Sequence, residues 1–136
     1  MSLTEEIQQH LDKALQFLKE KNFDDADFEL SSAEEIATDD ENGEHPLAWR
    51  VDVMMGRVAM EQGDFDVADF YFDGCESMPG AAIEEIQFWR GINQVREGKK
   101  QKGASNLLSA YHNGGEKLFE EVDAKYMQMV REQLEE

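Results

Sequence analysis

Apolar side chains recur three and four residues apart along most of this chain. Ile7, Leu11, Ala14, Leu15 and Leu18 form one such stripe. Val51, Met54, Met55 and Val58 form a second, and Ile83, Ile86, Trp89 and Ile92 or Val95 a third. At about 3.6 residues per turn this spacing turns one face of a helix towards a core. No stretch alternates β-branched and polar residues for long enough to make a strand. Only two prolines, Pro46 and Pro79, interrupt the helix formers. The pattern predicts an all-α protein.

The helices also repeat. A small residue, three others, a large residue, two others and a second small residue recur as Ala26, Leu30, Ala33; as Ala68, Phe72, Cys75; and as Gly103, Leu107, Ala110. Ala14, Gly56 and Gly91 supply a further small residue in the helix before each. All four columns keep the same offsets, 42 residues from the first unit to the second and 35 from the second to the third. Small residues on facing helices let two backbones approach, and the large one fills the space beside them. Lys21-Asn22, Gly63-Asp64 and Gly98-Lys99 stand where each helix would reverse. One hairpin cannot bury its apolar face alone, so the units are expected to stack.

These units resemble tetratricopeptide repeats, helix-turn-helix units of about 34 residues. The best match runs from Trp49 to Gly80: Met55-Gly56, Gly63-x-Phe65-x-x-Ala68, Phe72-x-x-Cys75 and Met78-Pro79. The first unit, about 7–40, has Lys21 where the family usually has glycine. The third, about 84–116, departs at Lys100 and Gly103. Another helical-hairpin solenoid of similar period would carry the same columns. The resemblance implies antiparallel hairpins stacked as a short right-handed solenoid of about seven helices, in one domain over residues 1–136. The longer first offset is assigned to an acidic loop, Thr38 to Pro46. A last helix, about 116–136, carries Leu118, Phe119, Val122, Tyr126, Met129, Val130 and Leu134. It is expected to cap the stack or to meet a second copy.

Charge narrows the function. The chain carries 13 basic and 31 acidic side chains, a net −18. Of these, 5 basic and 21 acidic residues lie in positions 1–80. Such a field repels nucleic-acid backbones and anionic lipid. It suits either a solvated surface adapted to a salty cytoplasm or a face that meets a basic partner. No run of 18 apolar residues exists to span a bilayer. Met1 to Glu20 is charged and amphipathic rather than a leader, so the expected compartment is the cytoplasm.

Candidate chemistry is sparse. His10, His45 and His112 form no zinc-type pairing. His45 with Asp39, Asp40, Glu41 and Glu44 would hold a divalent cation only weakly. Calcium-loop spacing fails at Gly43, where Thr38 stands first, and at Asp64, where Asp69 replaces the required glycine. Cys75 falls in a small-residue column and reads as a core thiol. Lys99, Lys100 and Lys102 form the only basic cluster, at the tip of a turn. The chain therefore reads as a non-enzyme with no metal, no cofactor and no catalytic residue.

The tetratricopeptide resemblance implies a concave groove lined by the first helix of each hairpin, with a peptide or partner helix bound in it. Aligned positions put Leu11, Leu15, Arg50, Val53, Met54, Arg57, Phe88, Trp89, Ile92 and Arg96 there. Family members that hold chaperone tails use Lys, Asn and Arg at fixed places. Here Leu11, Leu15, Met54, Glu85 and Trp89 occupy them, so that clamp is absent. The expected protein is a protein-binding adaptor, scaffold or chaperone-like module, monomeric or homodimeric. The alternative is a structural protein that assembles with itself through the last helix or the groove.

Overall fold

A computed structural model of the chain describes residues 1–38 and 45–136. Among these residues the protein is all-α, with seven α-helices and one short 3₁₀ turn. They are α1 (Leu3–Lys19), α2 (Phe23–Thr38), α3 (Ala48–Glu61), α4 (Phe65–Cys75), α5 (Ile83–Glu97), α6 (Lys100–Gly114) and α7 (Ala124–Leu134). The acidic loop expected before Pro46 falls largely on residues 39–44, outside the described residues. The chain divides into two compact units, Met1–Ala81 and Ala82–Glu136.

In the first unit α1 packs against α2, α3 against α4, and α3 also against both α1 and α2. Ser2 opens α1, its Oγ accepting from the Glu5 amide at 3.1 Å, an N-cap that the stripe of apolar residues does not reveal. Ile7, Leu11, Ala14 and Leu18 of α1 join Ala26, Leu30, Ala33 and Ala37 of α2, and Ala48, Val51, Met54 and Val58 of α3, in one core. In the second unit α5 packs against α6, and α6 against α7. Within each unit successive helices thus pack on their neighbours, an arrangement consistent with a helical repeat.

All twelve residues of the repeated columns are buried, and the glycines among them mark close contacts between paired helices. A Cβ built on Gly56 would lie 2.6 Å from the Phe72 ring. On Gly91 it would lie 2.9 Å from Leu107, and on Gly103 it would lie 2.7 Å from the Gly91 carbonyl oxygen. Gly91 meets Leu107 while Val95, one turn later, meets Gly103, one turn earlier; that is the pairing of antiparallel helices. Cys75 is fully buried, its Sγ–H donating to the Phe72 carbonyl at 3.4 Å.

The reversals repeat as closely as the contacts. Lys21, Gly63 and Gly98 all take positive φ, at 61°, 81° and 99°. After each, an amide bonds back to the carbonyl five residues earlier: Asn22 to Phe17 at 2.8 Å, Asp64 to Ala59 at 2.9 Å, Lys99 to Gln94 at 2.8 Å. This is the Schellman closure of a helix C-terminus, which needs a left-handed residue and therefore favours glycine. Lys21 fills that position with a Cβ.

The last helix differs from its expectation. Gly115 takes φ 76° and ends α6. A 3₁₀ turn, Glu116–Phe119, follows, and α7 begins only at Ala124. Asp123 sets that start, its Oδ1 accepting from the Lys125 amide at 2.9 Å. Tyr126, Met127 and Val130 form the buried side of α7, whereas Leu134 is exposed. The periodicity runs on through residues 116–123, but the glycine pair and the Asp123 cap divide it.

Candidate interaction surfaces

The groove residues expected from alignment separate into two groups. Leu11 and Met54 lie in the core of the first unit. Val53, Phe88 and Ile92 are buried as well. The Phe88 ring stands edge-on to Phe119, centroids 4.9 Å apart, and to Trp89 at 5.0 Å. These five side chains act as packing residues. Leu15, Arg50 and Arg57 of the first unit, and Trp89 of the second, are half-buried, and Arg96 is exposed.

Each of the accessible arginines has a neighbour within the protein. The Arg50 guanidinium sits over the Trp49 ring, 4.5 Å from its centroid, a cation–π arrangement. Arg57 Nη1 donates to the Met54 sulfur at 3.5 Å. Seven residues apart, the two arginines point to one side of α3. In the second unit Arg96 Nε donates to the Tyr126 hydroxyl at 3.3 Å, tying α5 to α7.

Sequence reasoning missed a second surface in the first unit. An open groove of about 380 Å³ runs between α2 and α4 over α3. Asp27, Ser31 and Glu34 form one wall, Val67 and Tyr71 the other, and Met55 and Ala59 the floor. Counted round α3 at 100° per residue, Met55, Ala59 and Gln62 lie opposite Arg50 and Arg57, so the groove and the arginine pair are separate surfaces. Burial, and next the Asp24 carboxylate, hold Asp27 above the ordinary carboxyl range. Burial, then Glu34, Asp52 and Asp27, push the Tyr71 phenol above its ordinary value. Phe28 and Phe70 crown the two walls, 70% and 74% exposed. The 42-residue offset relates Asp24-x-x-x-Phe28 to Asp66-x-x-x-Phe70. That match was available in the sequence. A search confined to core columns passes over it, because both phenylalanines face away from the buried stripe.

The remaining candidates of the sequence occupy structural places. His45 Nδ1 accepts from the Leu47 amide at 3.0 Å, so its Nε2 carries the proton and donates to Thr4 Oγ1 at 3.1 Å. Both ring nitrogens are thus engaged within the protein, and Asp39, Asp40, Glu41 and Glu44 lie outside the described residues. His10 meets Glu29 at 2.6 Å across the α1–α2 hairpin. Lys99 pairs with Glu97 at 3.3 Å across its turn. Among the described residues no three His, Cys, Asp or Glu side chains gather to hold a metal, and no helix is long and apolar enough to cross a membrane.

The architecture defines a class: an all-α protein of antiparallel helical hairpins with accessible surfaces on both sides of α3. No family model matches the chain, and neither does any curated protein or solved structure.

Proposed function

We propose that this protein is a non-enzymatic interaction module of tetratricopeptide-like hairpins, an adaptor, scaffold or chaperone-like protein of the cytoplasm. It takes a peptide or a partner helix. The supporting observation is the threefold recurrence of buried columns at fixed offsets together with the same positive-φ reversal and the same closing hydrogen bond. Arrays of this kind spend their small and large columns on packing and leave whole helix faces outward for recognition. Leu15, Arg50 and Arg57 are the side chains of the expected groove that remain accessible in the first unit. Arg50, stacked on Trp49, is presented at reduced entropic cost and suits a carboxylate of the bound segment. A lone buried thiol at Cys75 fits a reducing compartment.

The test is a capture experiment from host lysate with wild type and Arg50→Glu/Arg57→Glu side by side. A partner held by wild type and lost by the variant is the expected result. A partner held equally by both would remove the site from this side of α3. No partner for either, with a dimeric elution volume, would favour self-assembly.

A further inference from the structure

We propose that the outer face of α2 and α4 is a second docking surface, built for a basic amphipathic helix of a partner protein. Its apolar stripe would seat on Phe28 and Phe70, and its lysines or arginines would lie over the acidic groove between them.

A single exposed phenylalanine is ordinary. Two at the same place in consecutive repeats, 70% and 74% exposed on the crests of two helices flanking a groove, form a recognition feature. Neither serves the core: Phe28 stands opposite the buried stripe of Ala26, Leu30, Ala33 and Ala37, and Phe70 opposite that of Ala68, Phe72 and Cys75. The Phe70 ring is braced edge-on by Tyr71, centroids 5.9 Å apart, and Tyr71 lines the groove. The aromatic crest and the groove wall are therefore one continuous surface.

The charge selects the occupant. Asp24 lies one turn before Phe28, and Asp66 one turn before Phe70. Asp27 and Glu34 line the groove between the crests. A second copy would bring the same acids face to face, with 5 basic against 21 acidic side chains in this half of the chain, so self-docking here is opposed by charge. A partner carrying cations beside apolar groups meets both features at once. The α2 wall runs from Asp27 to Glu34, seven positions or about 10 Å along the helix, and the α4 wall from Val67 to Tyr71, four positions or about 6 Å, so the groove offers the one-turn and two-turn spacings of side chains on a docked helix.

The surface is independent of the Arg50–Arg57 side, so the two readings fail separately. The probe is a fluorescein-labelled synthetic peptide patterned with Leu at helical i, i+3, i+4 spacing and Lys elsewhere. Its controls are the same composition scrambled and the same pattern with Glu for Lys. Anisotropy is read against wild type, Phe28→Ser/Phe70→Ser, Asp27→Asn/Glu34→Gln and Arg50→Ala/Arg57→Ala. Both phenylalanines are largely exposed, so their replacement leaves the core intact, which circular dichroism verifies. The expected result is binding of the patterned Lys peptide that weakens about ten-fold or more in the phenylalanine variant, as for loss of two aromatic anchors. Binding also weakens and becomes less salt-dependent in the Asp27/Glu34 variant, and is retained in the Arg50/Arg57 variant. Equal binding of the scrambled peptide, or equal binding by the phenylalanine variant, would overturn the proposal. So would a concentration-dependent dimer of wild type that Phe28→Ser/Phe70→Ser abolishes, which would make the occupant a second copy.

Discussion

The hairpins α3–α4 and α5–α6 answer the same steric problem with different atoms. In α3–α4 the close approach is between Gly56 and the ring of Phe72, a backbone against the end of a side chain. In α5–α6 Leu107 meets Gly91 in the same columns, and in addition the site of a Gly103 Cβ lies 2.5 Å from Val95 Cγ2, 2.7 Å from the Gly91 carbonyl oxygen and 2.9 Å from the Val95 amide nitrogen. The first solution fills the crossing with a large side chain. The second keeps a large side chain against Gly91 and adds a close approach at Gly103, where two of the three nearest atoms are backbone. A ring can tilt by a few tenths of an ångström, whereas a helix backbone moves only if the whole element moves. The repeat columns thus fix where helices touch but leave open how much an added atom would disturb.

The sharpest way to break that comparison is to add one methyl group at each crossing. Gly103→Ala is expected to destabilise the protein by about 3 kcal/mol, the upper range for overpacking. Gly56→Ala is expected to cost about 1 kcal/mol net, because Phe72 can yield and alanine returns up to about 1 kcal/mol of helix propensity. Urea denaturation of both variants measures the difference. Equal losses would show that the nature of the neighbouring atom is irrelevant. An effect of opposite sign is expected at the first reversal. Lys21 holds φ 61° where the two later turns have glycine at 81° and 99°. Lys21→Gly is expected to stabilise by about 1 kcal/mol, the left-handed penalty relieved less the extra chain entropy of glycine. A lowered denaturation midpoint would mean that the Lys21 side chain contributes more than its backbone strain removes.

The hairpin fold was legible in the sequence because packing leaves a periodic record. Small and large residues alternate at fixed offsets only if the same contact is made repeatedly, and Ala26, Leu30 and Ala33 recur as Ala68, Phe72 and Cys75. The reversals were legible at Gly63 and Gly98, and at Lys21 only through register, since lysine carries no turn signal. The division of the last helix was not. Leu118, Phe119, Val122 and Tyr126 keep helical spacing through a stretch that Gly115 and Asp123 interrupt, and spacing alone does not reveal a cap. The binding surfaces were the least legible part. Register places side chains by position but does not say how deeply each is buried, and Leu11, Val53, Met54, Phe88 and Ile92 lie in the packed interior. Phe28 and Phe70 escaped because apolar residues outside the buried stripe read as noise until the repeat offset pairs them.

The contrast between the acidic first unit and the nearly balanced second one has its most local expression at Tyr71. Its phenol is raised first by desolvation, then by Glu34, Asp52 and Asp27. The folded state therefore keeps the neutral phenol to higher pH than the unfolded chain does. The stability this contributes is complete below the unfolded value of about 10 and is lost as pH rises through the folded one. Asp27, also raised, acts in the same direction at the acid end: the folded state takes up its proton before the unfolded chain, so stability is gained as pH falls through the folded value. Glu34→Gln removes the largest of the charge effects on Tyr71 but leaves the burial. The expected outcome is a phenolate absorbance midpoint, read as the difference from Tyr71→Phe, that moves down and still stays above that of free tyrosine. A midpoint that falls all the way to the free value would mean that repulsion by Glu34, rather than desolvation, dominates the groove wall. One that does not move would place the Glu34 carboxylate too far from the ring for the acidic groove to act as a single electrostatic surface.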